Sequence, residues 1–396
     1  MMDHVVLTSL ILLYTHSALW VSLSLAARTV GGLLSSLSSG ILADRMDRRM
    51  MMIWSDILRA LAVSMVIVWQ TNFTILSVSF LVGFLSSFFQ VGFSASIPRL
   101  YAQQSLVKSN SVVTRLTSIS IVSGFLLAGI ISTYVGFRFV LVIDGLSYLF
   151  SAVALFNLKT DAFNDEKRLG FQKIESKPSL SVKSVVGDLT AVLKYLLSNP
   201  LLSIVFAGYL VEAFSASAHN LAIPLLAQGL DPHRQTLMYG LIWSVWGVGN
   251  VLATVIVPKI RHLHRHIYLM YWLSGICMSL GFISFLSSQK VAVVLPLALV
   301  TGIFDAMSGT VFSVIQQSVD DEMRGRVIGV STLLNRGGFV VGFLVAPVIL
   351  RFLSMPQMVQ LLHGVNVVAM LVSLLLALLL ARSPHVHLNL RGGQAE

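Results

Sequence analysis

Eleven apolar runs, each long enough to cross a bilayer as a helix of about 20 residues, follow one another along this chain. They lie at 18–42, 50–70, 74–98, 109–134, 138–158, 200–223, 236–258, 267–288, 291–316, 325–350 and 357–381. No soluble fold accommodates that pattern. Charged residues make up only 11% of the chain and mean hydropathy is +0.83, whereas soluble domains carry about 25% charged residues. Hydrocarbon offers no hydrogen bonds to a backbone, so runs of this length without a two-residue alternation must satisfy themselves as helices. The fold class expected is an all-α membrane protein. A shorter segment, 4–15, brings the count to about twelve but covers only about half a crossing. The first helix therefore reads as truncated: either about 15–20 residues of it lie upstream, or it begins near the bilayer centre.

Basic residues orient the spans. Of 27 lysines and arginines, nineteen fall in loops on one side, among them Arg45, Arg48, Arg49, Lys108, Lys259, Arg324 and Arg326. Four (Arg138, Arg234, Lys290, Arg351) fall on the other side, and four (Arg28, Arg59, Arg115, Arg336) within spans. Such asymmetry places the basic side in the cytoplasm. It also accounts for the net charge of +10 without invoking nucleic acid. The single cysteine, Cys277, lies inside an apolar run, so neither a disulfide framework nor a cysteine metal site is expected. Residues 1–17 carry neither a basic leader nor a small-residue cleavage site.

The one long polar stretch, 159–199, divides the spans six and six. The expected organisation is an N-terminal bundle over 1–158, a linker over 159–199, a C-terminal bundle over 200–381 and a cytoplasmic tail over 382–396. Within the linker, Val185, Leu189, Val192 and Leu196 share one helical face while Lys183, Asp188 and Lys194 lie on the other. Two placements suit such a helix: flat on the cytoplasmic leaflet, or packed under the bundle. The halves also repeat. Val30, Gly31 and Leu34 recur as Val248, Gly249 and Leu252, and Gly124, Phe125 and Ala128 as Gly342, Phe343 and Ala346, both at an offset of 218; Phe93 and Ser94 recur as Phe312 and Ser313 at 219.

Between the first two long runs lies a charged turn: Gly40, three apolar residues, Asp44, Arg45, then Asp47, Arg48 and Arg49. This Gly-x-x-x-Asp-Arg-x-x-Arg-Arg pattern resembles the loop between spans 2 and 3 of major facilitator superfamily transporters. Asp320, Asp321, Glu322, Arg324, Gly325 and Arg326 before span 11 are similar to a loop of the drug:proton antiporter branch that includes macrolide and enterobactin exporters. The resemblance implies two six-helix halves with a substrate site at their interface. It implies a gating role for Gly40, Asp44, Arg45, Arg48 and Arg49; a solvated topogenic turn is the bland alternative. The family's usual second glycine is replaced by Asp47, and the proline common in span 5 of its proton-coupled exporters is absent. Small residues spaced along the spans (Gly32, Ser36 and Gly40; Gly124; Gly338 and Gly342) let helix backbones approach closely.

Charges inside hydrocarbon cost several kcal/mol unless paired or hydrated. A rise of 1.5 Å per residue puts Arg28, Glu212, Asp305 and Arg336 near the midplane. The resemblance implies that the spans holding Glu212 and Asp305 line the cavity. Either acid is a candidate to carry the coupling proton or to partner a cationic substrate; permanent pairing with the arginines is the alternative. Asp56 and Arg59, three apart, can pair on one face, and Arg115 and Asp144 also read as structural charges. Trp243 and Trp246 suit an aromatic or cationic substrate or core packing, and Trp54 and Trp69 interfacial anchoring. His262, His264 and His266 read as a basic loop, not a metal site.

No phosphate-binding Gly-x-x-x-x-Gly-Lys-Ser/Thr loop and no nucleophile–base constellation occurs. The expectation is therefore not an enzyme and no cofactor or metal. It is a monomeric secondary transporter of a bacterial-type inner membrane, its linker and termini cytoplasmic if the first span is complete. Its partners are the bilayer, a small-molecule substrate and protons; the activity expected is proton-coupled efflux of an amphipathic, drug-like compound. Export or uptake of a siderophore or metabolite, and a degenerate non-transporting membrane protein, are the alternatives.

Overall fold

A computed structural model describes residues 1–45, 47–100, 106–158, 182–259 and 266–382. Every regular element among them is helical. In chain order we number them α1 (Met2–Thr15), α2 (Ala18–Arg45), α3 (Arg48–Val68), α4 (Asn72–Leu100), α5 (Leu106–Tyr134) and α6 (Phe137–Asn157). There follow α7 (Val182–Ser198), α8 (Pro200–Leu230), α9 (Gln235–Ile256), α10 (Ile267–Leu286), α11 (Val291–Gln317), α12 (Asp321–Ile349) and α13 (Met355–Arg382). Eleven of these are long and apolar enough to span a membrane; α1, with 14 residues, and α7 are not.

Local chemistry sets the ends. Asp47 caps α3 by accepting from the Arg49 backbone N–H at 2.9 Å. Pro200 occupies the first turn of α8, where its missing N–H costs nothing. Gly136, at φ 108°, makes the turn between α5 and α6 that a side chain would resist. The charged turn is shorter than its sequence suggests. The helical hydrogen-bond ladder of α2 continues through Gly40 and Asp44 to Arg45, and α3 resumes at Arg48. Likewise Asp320 is the N-cap of α12, and Asp321 and Glu322 are already helical, four residues before the start read at Gly325.

The chain forms two compact units, Met1–Val182 and Lys183–Glu396. In the first, α2 packs on α4, α3 on α4 and α6, and α1 on α2, α5 and α6. The second repeats the scheme: α9 on α11, α10 on α11 and α13, and α8 on α9, α12 and α13. The tightest crossings coincide. A Cβ on Gly31 would lie 2.2 Å from the Phe80 carbonyl oxygen, and one on Gly83 2.0 Å from that of Arg28. In the second unit a Cβ on Gly249 would meet the Leu299 carbonyl at 2.1 Å, and one on Gly302 that of Trp246 at 2.1 Å. Those four positions are related by offsets of 218 and 219, the spacing of the sequence repeats. In α2 the close approach falls on Gly31, not on the Gly32 face; Gly32 instead offers its carbonyl to the Ser87 hydroxyl of α4 at 3.1 Å.

The linker helix α7 packs on the second unit. Val192 and Leu196 are buried with Phe206, Ile267 and Val319, while Leu189, Leu193 and Leu197 remain exposed.

Candidate functional site

The second unit gathers its polar groups where α8, α9, α10 and α11 converge. Glu212, midway along α8, accepts from the Tyr271 hydroxyl of α10 at 3.2 Å. The Ser308 hydroxyl of α11 lies 3.3 Å from its Oε1 and 3.4 Å from its Oε2. Asp305, one turn before Ser308 on the same face, accepts from the indole N–H of Trp246 on α9 at 3.1 Å. One turn before Glu212, Tyr209 stacks on Phe312 with ring centroids 3.8 Å apart. Trp246 meets Trp243 edge-on at 4.8 Å. Glu212 and Asp305 are both half-buried.

The chemistry of this arrangement lies in its donors. Two hydroxyls and an indole N–H orient the carboxylates, yet none brings a positive charge. A neutral donor improves the solvation of an anion without cancelling it. The pair is therefore equipped to accept a proton or a cationic group from outside. Aromatic faces beside it favour a ligand that is itself flat or cationic.

Arg336, on α12 of the same unit, is half-buried. Gly338 and Gly342 press α12 onto the Glu212 helix. Added Cβ atoms there would lie 3.0 Å from the Phe214 nitrogen and 2.2 Å from the Ser217 hydroxyl. In the first unit, Arg28 donates to Asp3 at 2.7 Å, and Asp3 is fully buried. Arg59 pairs with Asp56, and its guanidinium lies over the rings of Phe89 (4.8 Å) and Tyr148 (4.6 Å). Asp144 is buried with one carboxylate oxygen lacking a hydrogen-bond partner. Gly124 faces Met1, the N-cap of α1, whose Cβ lies 3.0 Å from the position of an added Cβ.

Of the charged motif, Arg49 donates to the carbonyls of Leu155 (2.8 Å) and Phe156. It thereby supplies hydrogens to the C-terminal end of α6, where a cation is favoured by the helix dipole. Arg48 lies in the first turn of α3. Gly40, Asp44 and Arg45 lie on α2, Ser36 donates to the Leu33 carbonyl at 2.7 Å, and Arg115 is on α5. The side chains of Asp44, Arg45 and Arg115 lie outside the described residues, as do His262 and His264.

Sequence reasoning missed several partners. Tyr271 and Ser308 are ordinary polar residues in apolar runs, and only helix rotation brings them to Glu212. A second buried polar chain also went unread. His219 Nδ1 lies 3.3 Å from His363 Nε2, whose ring reaches the Ser279 hydroxyl at 3.3 Å, and Asn366 donates to that hydroxyl at 2.9 Å. Phe282 stacks on His219 with centroids 3.8 Å apart. These links fasten α8, α10 and α13 together. The available signal was His219 seven residues after Glu212, two turns along the same helix face.

The family model of the Major Facilitator Superfamily matches residues 4–342. Among solved structures, a variant of the nucleoside transporter NupG superposes with a TM-score of 0.74 at 14% identity, covering 94% of both chains. NupG itself gives 0.71 at 13% identity, over 95% of this chain and 96% of that one. A POT family transporter in complex with a thioalcohol-conjugated peptide gives 0.69 at 11% identity, over 95% and 93%. No functionally curated protein matches the sequence. The apolar spans, the duplicated six-helix packing and the family match over most of the chain lead to one conclusion: this is an integral membrane transporter, not an enzyme, and it belongs to the Major Facilitator Superfamily.

Proposed function

We propose that the protein is a proton-coupled secondary transporter that exports an amphipathic small molecule by alternating access. Glu212 and Asp305 are its coupling groups. One observation carries this reading: two carboxylates in an apolar bundle have hydroxyls and an indole as their hydrogen-bond partners. An acid so placed is costly as a lasting anion, and is retained where a proton or cation visits it. Protonation on one side of the membrane and release on the other would link the proton gradient to the conformational cycle. Tyr209, Trp246 and Phe312 supply aromatic surface for the apolar part of the cargo, and a positively charged cargo would compete with protons for the same acids. Arg336, in the same unit as the two acids, borders the cargo path in this reading, while Arg28 is held by Asp3. The charged motif at the α2–α3 junction gates it, with Arg49 anchoring α6. The protein works as a monomer in a bacterial-type inner membrane, with α7 on the cytoplasmic side.

Purified protein in vesicles carrying an imposed pH gradient and a pH-sensitive dye, challenged with a panel of amphipathic cations, neutral molecules and anions, tests the proposal. Proton movement on addition of at least one cationic or neutral compound is expected, and its loss in E212Q or D305N. Compound-driven proton movement that survives both substitutions would remove these acids from the mechanism. Transport that ignores the pH gradient altogether would favour uncoupled carriage of a metabolite.

A further inference from the structure

The linker helix α7 is divided around its circumference into three sectors. Val192 and Leu196 are fully or nearly fully buried, and Tyr195 lies beside them. Leu189, Leu193 and Leu197, spaced by four, form an adjoining stripe with 45%, 55% and 69% exposure. Gly187 and Lys194, both exposed, occupy the remaining arc. A soluble connector gains nothing from three leucines held open to water, each of which would contribute about 1.5–3 kcal/mol if buried.

Polar and apolar contacts tie α7 to the ends of neighbouring helices of the second unit. Its buried residues Val192 and Leu196 belong to the same core cluster as Ile267 at the start of α10 and Val319 just before α12. The Tyr195 hydroxyl donates to Asp320, the N-cap of α12, at 3.1 Å. Its C-terminal carbonyls are held from just beyond its end: the Ser203 hydroxyl of α8 donates to Leu196 O at 2.5 Å, and the amide of Asn199, the N-cap of α8, to Tyr195 O at 2.9 Å. Only Asn199 separates α7 from Pro200, where a membrane span begins. The helix is thus fixed beside the ends of three spans, where hydrocarbon gives way to headgroups.

We infer that the Leu189–Leu193–Leu197 stripe docks α7 into the phospholipid surface of the bilayer. The leucines enter the acyl boundary and Lys194 reaches outward to the lipid phosphates. Through Tyr195 and Asp320 the first turn of α12 is then braced against a helix that rests on lipid. The lipid surface covers one sector, the bundle a second, and water the third.

Spin labels measure this in the full-length protein, reconstituted in phosphatidylcholine–phosphatidylglycerol vesicles on a C277S background. A nitroxide at L193C or L197C should collide with oxygen more often than with a water-soluble nickel chelate, at a depth of about 5–10 Å below the headgroups. A nitroxide at G187C should show the reverse preference. Equal nickel accessibility at 187 and 193 would overturn the inference. So would a label at 193 shielded from both reagents, because the stripe would then be covered by protein. With the unaltered protein, a photoactivatable phospholipid should label Leu193 or Leu197; labelling confined to the spans would contradict the inference independently.

Discussion

The two units share one packing scheme and treat charge in opposite ways. Gly31 and Gly83 in the first, and Gly249 and Gly302 in the second, produce the same close crossing at equivalent positions. Yet where the first unit crosses at Arg28, the second crosses at Trp246, 218 residues on. Arg28 is satisfied by Asp3, and Arg59 by Asp56. Trp246 instead donates to Asp305, while Glu212 is served by hydroxyls. A duplicated frame has thus diverged: in the first unit Arg28 and Arg59 are each neutralised by an aspartate, with Asp144 outside those pairs, whereas Glu212 and Asp305 in the second have neutral partners. The first arrangement resists change; the second can gain or lose a charge without breaking a salt bridge.

The sharpest structural test of this contrast is to strand a charge in the first unit. R59A leaves Asp56 buried without its guanidinium and should destabilise the protein by about 3–5 kcal/mol. Thermal unfolding in detergent would show it, and D56N added to R59A should recover most of the loss. If R59A alone is neutral, the pair is not what holds this region. A smaller effect is expected at the crossings. G302A places a methyl against the Trp246 carbonyl and should cost about 1–3 kcal/mol, with G83A comparable. G309A, whose Cβ would meet nothing within 4 Å, should unfold like the parent. Unequal penalties at Gly83 and Gly302 would show that the two frames have drifted apart in tightness as well as in charge. The least effect belongs to S308A, which removes one neutral hydroxyl from Glu212 while Tyr271 remains. A loss of about 0.5–1.5 kcal/mol is expected in the same unfolding assay.

What the sequence disclosed follows from which forces leave a one-dimensional trace. Burial in lipid demands length and apolarity, so the eleven long spans were plain. Duplication leaves a constant offset, so Gly31 and Gly249 could be aligned before their contacts were known. Asp56 and Arg59 were readable as neighbours because three residues is nearly one helical turn. Helix rotation leaves no such trace in runs that are apolar on every side. For that reason nothing in the sequence marks Tyr271 and Ser308 as partners of Glu212, or joins Trp246 to Asp305 although each is a candidate by itself. Asp3 lay just outside the short apolar segment and was passed over, though it is the acid that pairs with Arg28. The charged turn between Arg45 and Arg48 is shorter than it reads, because charged residues at a helix end look like loop. The linker helix suits either leaflet or bundle by its sequence because apolar residues cover more than one side of it: Val192 and Leu196 are buried in the second unit, and Leu189, Leu193 and Leu197 are exposed.

Infrared difference spectroscopy of the carbonyl stretch of protonated carboxylic acids, recorded across a pH titration of the protein in lipid, tests the contrast between the halves most directly. The account predicts a titrating band that diminishes in E212Q or D305N and is unchanged in D56N. A band lost only in D56N, or one untouched by both substitutions in the second unit, would contradict it.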